Sequence, residues 1–69
     1  MKLSARNVLK GKVKSITTGM VNSEVVIELP GGEEITSIVT KTSAESLNLK
    51  EGSSVYAIFK ASNVIIGIE

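Results

Sequence analysis

The chain has 69 residues, a net charge of +1 and an apolar content of 42%. A chain of this length forms one small domain that buries only about 60% of its unfolded surface, so such domains usually need disulfides, a metal ion or association. The sequence has no Cys and no His, which excludes disulfide bonds and ordinary zinc sites and leaves association as the expected source of stability.

The composition also argues against catalysis, nucleic-acid binding and membrane insertion. Without His, Cys or Asp the chain lacks the usual residues of catalytic triads, thiol chemistry and metal-bound water, so we predict that it is not an enzyme. Only Tyr56 and Phe59 are aromatic, whereas a nucleic-acid groove normally combines clustered basic residues with stacking aromatics. No apolar stretch approaches the roughly 20 residues of a membrane span, and no signal-peptide core follows Met1. We therefore expect a soluble cytoplasmic protein with no nucleic-acid or membrane partner.

The first half of the chain alternates apolar and polar residues, which is the two-residue period of half-exposed strands. Leu9, Gly11 and Val13, for example, alternate with three lysines. The glycines after Pro30 allow a tight turn, so the second and third strands are expected to form a hairpin. The pattern predicts three strands, at residues 9–14, 21–29 and 33–40.

The second half of the chain begins with a helix signal. Thr42–Glu45 fits a capping box, with a hydroxyl at the cap and Glu three residues later, and predicts a short helix that ends near Asn48. A fourth strand is predicted over Ser54–Lys60 and a fifth over Asn63–Ile68. The fifth strand is apolar on both faces, so it must be covered on both sides, and a neighbouring subunit is the obvious cover.

Five strands with a short helix between the third and the fourth have the element order of an OB-type barrel. We therefore predict an all-β fold, a five-stranded OB barrel that forms a single domain over residues 1–69. The sequence contains no repeat, linker or low-complexity segment that would divide it.

Hydrogen-bond donors form the most distinctive chemical pattern of the chain. Arg6, the only arginine, lies beside Ser4 before the first strand, and Lys60 and Ser62 lie at the link between the fourth and fifth strands. Guanidinium, ammonium and hydroxyl groups suit a small tetrahedral oxyanion, which presents acceptor oxygens on every side. Each cation also has an ordinary alternative, since Arg6 could be a solvated surface residue and Lys60 could protect an exposed sheet edge.

Four spaced segments of the chain resemble the molbindins, the small cytoplasmic Mop domains that bind molybdate and tungstate; they are Ser4–Asn7, Leu9–Gly11, Ile38–Thr40 and Phe59–Val64. The likeness runs from Ser4 to Ile66 in order and without an insertion. It implies the OB barrel, molybdate or tungstate as the bound ligand, and a role in storage or homeostasis. It also implies a homo-oligomer, a hexamer built as a trimer of dimers, with the sites where subunits meet.

The resemblance extends the set of expected site residues. It places ligands at Thr40 and Ser43, whose hydroxyls could otherwise cap the start of the helix. A second, weaker oxyanion site is predicted in the loop of Gly19, Met20 and Val21, where backbone amides could meet at a subunit contact. The predicted oxyanion-binding residues are Ser4, Ala5, Arg6, Thr40, Ser43, Lys60, Ala61 and Ser62.

Two other functions remain open from the residues alone. A nucleic-acid-binding OB module would need aromatic platforms on the second and third strands, where this chain has Val, Ile and Ser. An assembly module from a transporter ATPase or a regulator would have the same fold. The short chain with its own Met1 leads us to expect a free-standing protein instead.

Overall fold

The computed structural model describes all 69 residues and contains one sheet of four strands, one α-helix and one 3₁₀ turn. The strand order in the sheet is β3-β2-β1-β4, and every neighbouring pair is antiparallel. The prediction of an all-β fold with a short helix before the fourth strand is confirmed. The elements are β1 (Asn7–Thr18), β2 (Asn22–Glu28), β3 (Glu34–Thr40), α1 (Lys41–Ser46), β4 (Ser54–Phe59) and the 3₁₀ turn Ala61–Asn63.

β1 is a central strand, and it is longer than the sequence pattern predicted. Residues 7–12 pair with β4 on one edge, and residues 12–18 pair with β2 on the other. A β-bulge between Val13 and Ser15 shifts the register of the second half. Because a bulge bends and twists its strand, β1 can take part in both halves of a curled sheet.

The core is small and lies on the inner face of the sheet. Four buried residues pack together there: Val13, Val25, Ile27 and Ala57. They alternate with exposed or half-buried residues, which confirms the alternation predicted for β2 and for Gly11 and Val13 of β1, whereas Leu9 on the same face of β1 is exposed. Only seven of the 69 residues are buried, so the isolated chain gains little stability from its own core.

Gly11 has a structural reason for being glycine. A Cβ atom at this position would lie 2.6 Å from the carbonyl oxygen of Glu28 and 2.7 Å from the side chain of Ile27. Real Cβ atoms do not approach backbone so closely, and a backbone atom cannot move aside as a flexible side chain can. The glycine therefore allows β1 and the end of β2 to approach each other.

The edge strands β3 and β4 face each other across an open side of the sheet. Two cavities of about 520 and 370 Å³ lie along this side, and each is lined by residues of both edge strands. The prediction of a fifth strand at residues 63–68 is not confirmed, because residues 61–63 form the 3₁₀ turn and residues 64–69 have no regular structure. Ile65, Ile66 and Ile68 are 94%, 87% and 94% exposed. The apolar pattern shows that these residues need cover, but it does not specify which chain provides it.

α1 begins directly after β3, and its N-cap differs from the predicted one. Thr40 has the extended φ and ψ of −69° and 152°, and its hydroxyl accepts a hydrogen bond of 3.0 Å from the amide of Ser43. Thr42 lies inside the helix, so the predicted capping box with Glu45 is wrong. Thr40 is the cap because it is the last extended residue of β3, and an N-cap needs extended backbone.

No helix of the protein is long and apolar enough to cross a membrane.

Candidate functional site

Six of the eight predicted site residues belong to two segments that meet at one end of the sheet. Asn7, the first residue of β1, pairs with Phe59, the last residue of β4. Arg6 precedes Asn7 and Lys60 follows Phe59, so both residues flank the same strand pair. Ser4 and Ala5 precede Arg6 in sequence, and Ala61 and Ser62 follow Lys60. The register therefore brings together both cations that the sequence singled out.

Arg6 and Lys60 carry positive charges that the chain does not neutralise. Both side chains are exposed, and neither takes part in a side-chain hydrogen bond or a salt bridge. Two cations at the ends of adjacent strands repel each other, and a bound anion would relieve that repulsion. This end of the sheet is therefore suited to an anionic ligand.

The 3₁₀ turn after Lys60 adds backbone donors to this end. Its two hydrogen bonds run from the amide of Asn63 to the carbonyl of Lys60 at 2.9 Å, and from the amide of Val64 to the carbonyl of Ala61 at 3.2 Å. The amides of Ala61 and Ser62 take no part in these two bonds, as is usual for the first amides of a helical turn. They are available to donate to an oxyanion beside the cations.

Thr40 and Ser43 lie at the other end of the sheet. The smaller edge cavity is lined by Val39 and Ser54, so the end of β3 lies near the start of β4. Lys60 follows the end of β4, and a strand of six residues spans about 20 Å. One chain therefore does not bring Thr40 and Ser43 together with Lys60.

Thr40 and Ser43 are themselves joined by two hydrogen bonds. The Thr40 hydroxyl accepts from the Ser43 amide and donates to Ser43 Oγ, at an Oγ1–Oγ distance of 2.7 Å. The hydroxyl proton of Thr40 is engaged in this contact, which leaves that of Ser43 to point outward. Ser43 is therefore the stronger donor to a ligand at this end, and Thr40 fixes its position.

The predicted second site lies in the loop of Gly19, Met20 and Val21. This loop joins β1 to β2 near the start of α1. The Gly19 amide donates to the carbonyl of Asn22 at 2.8 Å, and the carbonyl of Val21 accepts from the amide of Lys41 at 2.8 Å. Met20 and Val21 are 96% and 72% exposed. The loop therefore offers the amides of Met20 and Val21, but not that of Gly19, to a ligand.

Of the three alternating lysines of β1, only Lys14 is paired. Its ammonium group forms a salt bridge with the carboxylate of Glu34 on β3. The hydrogen bond to Glu34 and the negative charge of that residue raise the pKa of Lys14 above its ordinary value. Lys10 and Lys12 form no salt bridge, so they are the members of this row that could attract an anion.

No group of His, Cys, Asp and Glu residues could hold a metal ion. The site chemistry is that of hydrogen-bond donors and positive charge, which bind the oxygens of an oxyanion and not its central atom. Lys60 and Arg6 are both donors without acceptor capacity at neutral pH, so they select against cations.

The TOBE domain family matches residues 3–66 of the chain. The chain is 49% identical over 69 residues to a probable molybdenum-pterin-binding protein of Haemophilus influenzae, and the match covers 100% of both proteins. Among solved structures, MopII of Clostridium pasteurianum has a TM-score of 0.91 at 46% identity, over 97% of this chain and 100% of that one.

A second solved structure is the cytoplasmic molybdate-binding protein ModG with molybdate bound, which has a TM-score of 0.96 at 56% identity. That match covers 100% of this chain and 49% of the ModG chain. The four segments that resemble the molbindins are thus supported by similarity over almost the whole chain. The chain belongs to the TOBE domain family and, within it, to the molbindin or Mop type.

Proposed function

We propose that the protein binds molybdate or tungstate and serves as a cytoplasmic store or buffer of the oxyanion, without catalysing a reaction. The observation that carries this proposal is the pair of unneutralised cations, Arg6 and Lys60, beside the available amides of Ala61 and Ser62. The molybdate held by ModG supports the choice of ligand.

Molybdate and tungstate suit this set of groups. Each carries two negative charges and four acceptor oxygens, so binding needs positive charge and many hydrogen-bond donors in a small space. Arg6 offers a planar fork of N–H groups, and Lys60 offers a compact charge. The proposed ligand shell consists of these two side chains, the hydroxyls of Ser4, Thr40, Ser43 and Ser62, and amides at Ala5 and Ala61.

We also propose that the complete site forms between subunits. Arg6 and Lys60 lie at one end of β4, and Thr40 and Ser43 lie at the other, about 20 Å away. A tetrahedral oxyanion is only a few ångströms across, so one anion cannot contact both groups of the same chain. Two chains that meet end against end can place the Arg6 group of one beside the Ser43 group of the other.

The oligomer would also complete the barrel. Each chain has an apolar open side between β3 and β4 and an exposed apolar segment at Val64–Ile68. Burial of Ile65, Ile66 and Ile68 against a neighbour would remove most of the exposed aliphatic surface of this segment from water. In the proposed hexamer, a trimer of dimers, this segment acts as the fifth strand of an OB barrel.

Equilibrium dialysis with elemental analysis tests the ligand. The protein is dialysed against molybdate, tungstate and sulfate in separate chambers, and then against molybdate with sulfate in excess. We expect retention of molybdenum and tungsten at a fixed ratio to protein, with weaker retention of sulfate. Molybdenum at equal concentrations inside and outside the membrane would contradict the proposal.

Sedimentation velocity tests the assembly separately from the ligand. We expect a mass of six chains, and we expect molybdate to stabilise that species, because a ligand held between chains binds only the assembled form. At 100 times the dissociation constant this stabilisation amounts to about 2.7 kcal/mol. A folded monomer that binds molybdate without a change in mass would contradict the site between subunits and leave the ligand proposal intact.

A further inference from the structure

A polar cavity of about 440 Å³ lies between α1 and the adjoining ends of β1 and β2. It includes none of the predicted oxyanion-binding residues and none of the residues of the loop at 19–21. Its volume is within the range of about 300–1,000 Å³ that is usual for small-molecule sites. The polar residues that line it are Thr18, Ser23, Lys41, Glu45 and Asn48.

Ser23 at the base of this cavity is the residue that most needs explanation. It occupies an inward position of β2, in line with the buried Val25 and Ile27, and it is only 1% exposed. Its hydroxyl makes none of the side-chain hydrogen bonds of the chain. Every fully enclosed side-chain oxygen has a partner, so the Ser23 hydroxyl must open into the cavity that it lines.

A hydroxyl at an inward strand position costs stability unless it has a hydrogen-bond partner, and the Ser23 hydroxyl can find one only in the cavity into which it opens. A valine would avoid that cost at an inward strand position, as it does at Val25. The serine is therefore explained if a group inside the cavity forms a hydrogen bond with it. That group is water or a ligand, because no side chain of the cavity bonds to Ser23.

The cavity also presents one positive and one negative side chain that are not paired. Lys41 and Glu45 are four residues apart and line the same cavity, yet they form no salt bridge. The order of the charges is part of the reason, because a helical pair with Lys before Glu is weaker than the reverse order. Both side chains are therefore available to a ligand that has a negative group for Lys41 and a positive group for Glu45.

Three of the eight residues that line the cavity are apolar. Ala44 of α1 is buried, and Ile16 and Leu49 are half-buried and complete this surface. A ligand that fits the whole cavity therefore combines two opposite charges with a small aliphatic part.

We propose that this cavity binds a small zwitterion of the α-amino-acid class with an aliphatic side chain. The carboxylate of the ligand pairs with Lys41, its ammonium group pairs with Glu45, and one of its polar atoms bonds to the Ser23 hydroxyl. The aliphatic side chain lies on Ala44. This site is separate from the proposed oxyanion site in residues and in the chemistry of its ligand.

Solution NMR of the ¹⁵N-labelled protein, titrated with L-valine, tests the proposal. We expect saturable shifts of the amide signals of Ser23, Ala44 and Asn48. N-acetylvaline lacks the positive charge and valinamide lacks the negative one. Each should bind at least about tenfold more weakly, as expected for the loss of one charge-assisted hydrogen bond.

Two variants and one control connect the shifts to the cavity. Ser23→Val fills the base of the cavity and Glu45→Gln removes its negative charge, so each should weaken valine binding at least about tenfold. Glu24→Gln makes the same chemical change on the exposed face of β2 and should leave binding unchanged. Glu45 is exposed, so its variant gives a result even where Ser23→Val does not fold.

Three results would overturn the proposal. The first is the absence of any shift at Ser23 with L-valine up to about 10 mM, a weak limit for a specific small-molecule site, which would mean a cavity that holds only water. The second is equal binding of valine, N-acetylvaline and valinamide. The third is a shift of the same three amides by molybdate but not by valine.

Discussion

The replacement of either cation at the Arg6–Lys60 end should weaken molybdate binding while the sheet stays folded. Arg6→Ala and Lys60→Ala remove exposed side chains that form no hydrogen bond or salt bridge within the chain. Their removal therefore breaks no hydrogen bond or salt bridge that stabilises the folded chain. Any effect on binding comes from the missing contact with the anion.

The size of the effect follows from Coulomb's law. A single positive charge about 4 Å from a doubly charged anion gains about 2 kcal/mol at the dielectric constant of water, and more in a less polar site. Charge-assisted hydrogen bonds give a similar range of about 1.5–3 kcal/mol. Each single variant should therefore bind molybdate about 30-fold more weakly, since 1.4 kcal/mol corresponds to a factor of ten.

The repulsion between the two cations makes the double variant informative. At a separation of about 7 Å in water, two unit charges repel by about 0.6 kcal/mol, which the unliganded protein relieves when either cation is removed. Removal of the first cation therefore reduces this repulsion for the other. The double variant should lose slightly less affinity than the sum of the single losses in free energy, because each single loss includes that relief and the double variant obtains it only once.

Isothermal titration calorimetry with molybdate measures the parent, both single variants, the double variant and one control, and circular dichroism checks that each of these five proteins is folded. Lys12→Ala is the matched control, because Lys12 is an exposed lysine of β1 that forms no salt bridge. It should change affinity by less than about threefold, as expected for a distant surface charge. The assignment of Arg6 and Lys60 would be refuted if their variants bound molybdate as the Lys12→Ala control does.

Three further predictions concern the fold and the assembly. Gly11→Ala should destabilise the protein by about 1–3 kcal/mol in urea unfolding because its Cβ would meet backbone at 2.6 Å, whereas Gly67→Ala, which meets nothing within 4 Å, should be neutral. Thr40→Ala should lower the free energy of unfolding by about 1 kcal/mol, and Thr40→Ser should keep most of it, because Thr40 caps α1. Thr42→Ala should have little effect, and a larger loss of stability at Thr42 than at Thr40 would support the capping box instead. Ile65→Asp should reduce the sedimenting mass whereas Ile65→Val should not, and an unchanged hexamer with Asp would exclude residues 64–68 from the interface.

The parts of the fold that local pattern determines were predictable from the sequence. β2 and β3 follow from alternation and from the Pro-Gly-Gly turn, and the structure has them within one residue of each predicted end. The second half of β1 was missed because it depends on pairing with β2 and on a bulge, neither of which alters the residue pattern strongly. The helix cap was misassigned because Thr42 fits a local motif, while Thr40 is determined by where β3 ends.

The residues of the candidate site were predictable from the sequence, but their positions relative to one another in the fold were not. The resemblance identified Arg6, Lys60 and Ser43 from separate segments, and only the strand register shows that the first two share an end of the sheet and the third does not. The cavity beside α1 was missed although the sequence contains its signal. That signal is Ser23, a polar residue at an inward position of a strand whose other inward residues are aliphatic.

The division of the proposed site between chains links ligand concentration to assembly. If molybdate strengthens the contact between chains, the contact must strengthen molybdate binding by the same factor, because linkage between two binding equilibria is reciprocal. Ile65 lies in neither group of site residues, so Ile65→Asp should lower molybdate affinity only through the loss of assembly. High protein concentration should then restore both the mass and the affinity of this variant in parallel. A variant that stays monomeric yet binds molybdate as tightly as the parent would show that one chain holds the anion alone, and Thr40 and Ser43 would then have no part in its shell.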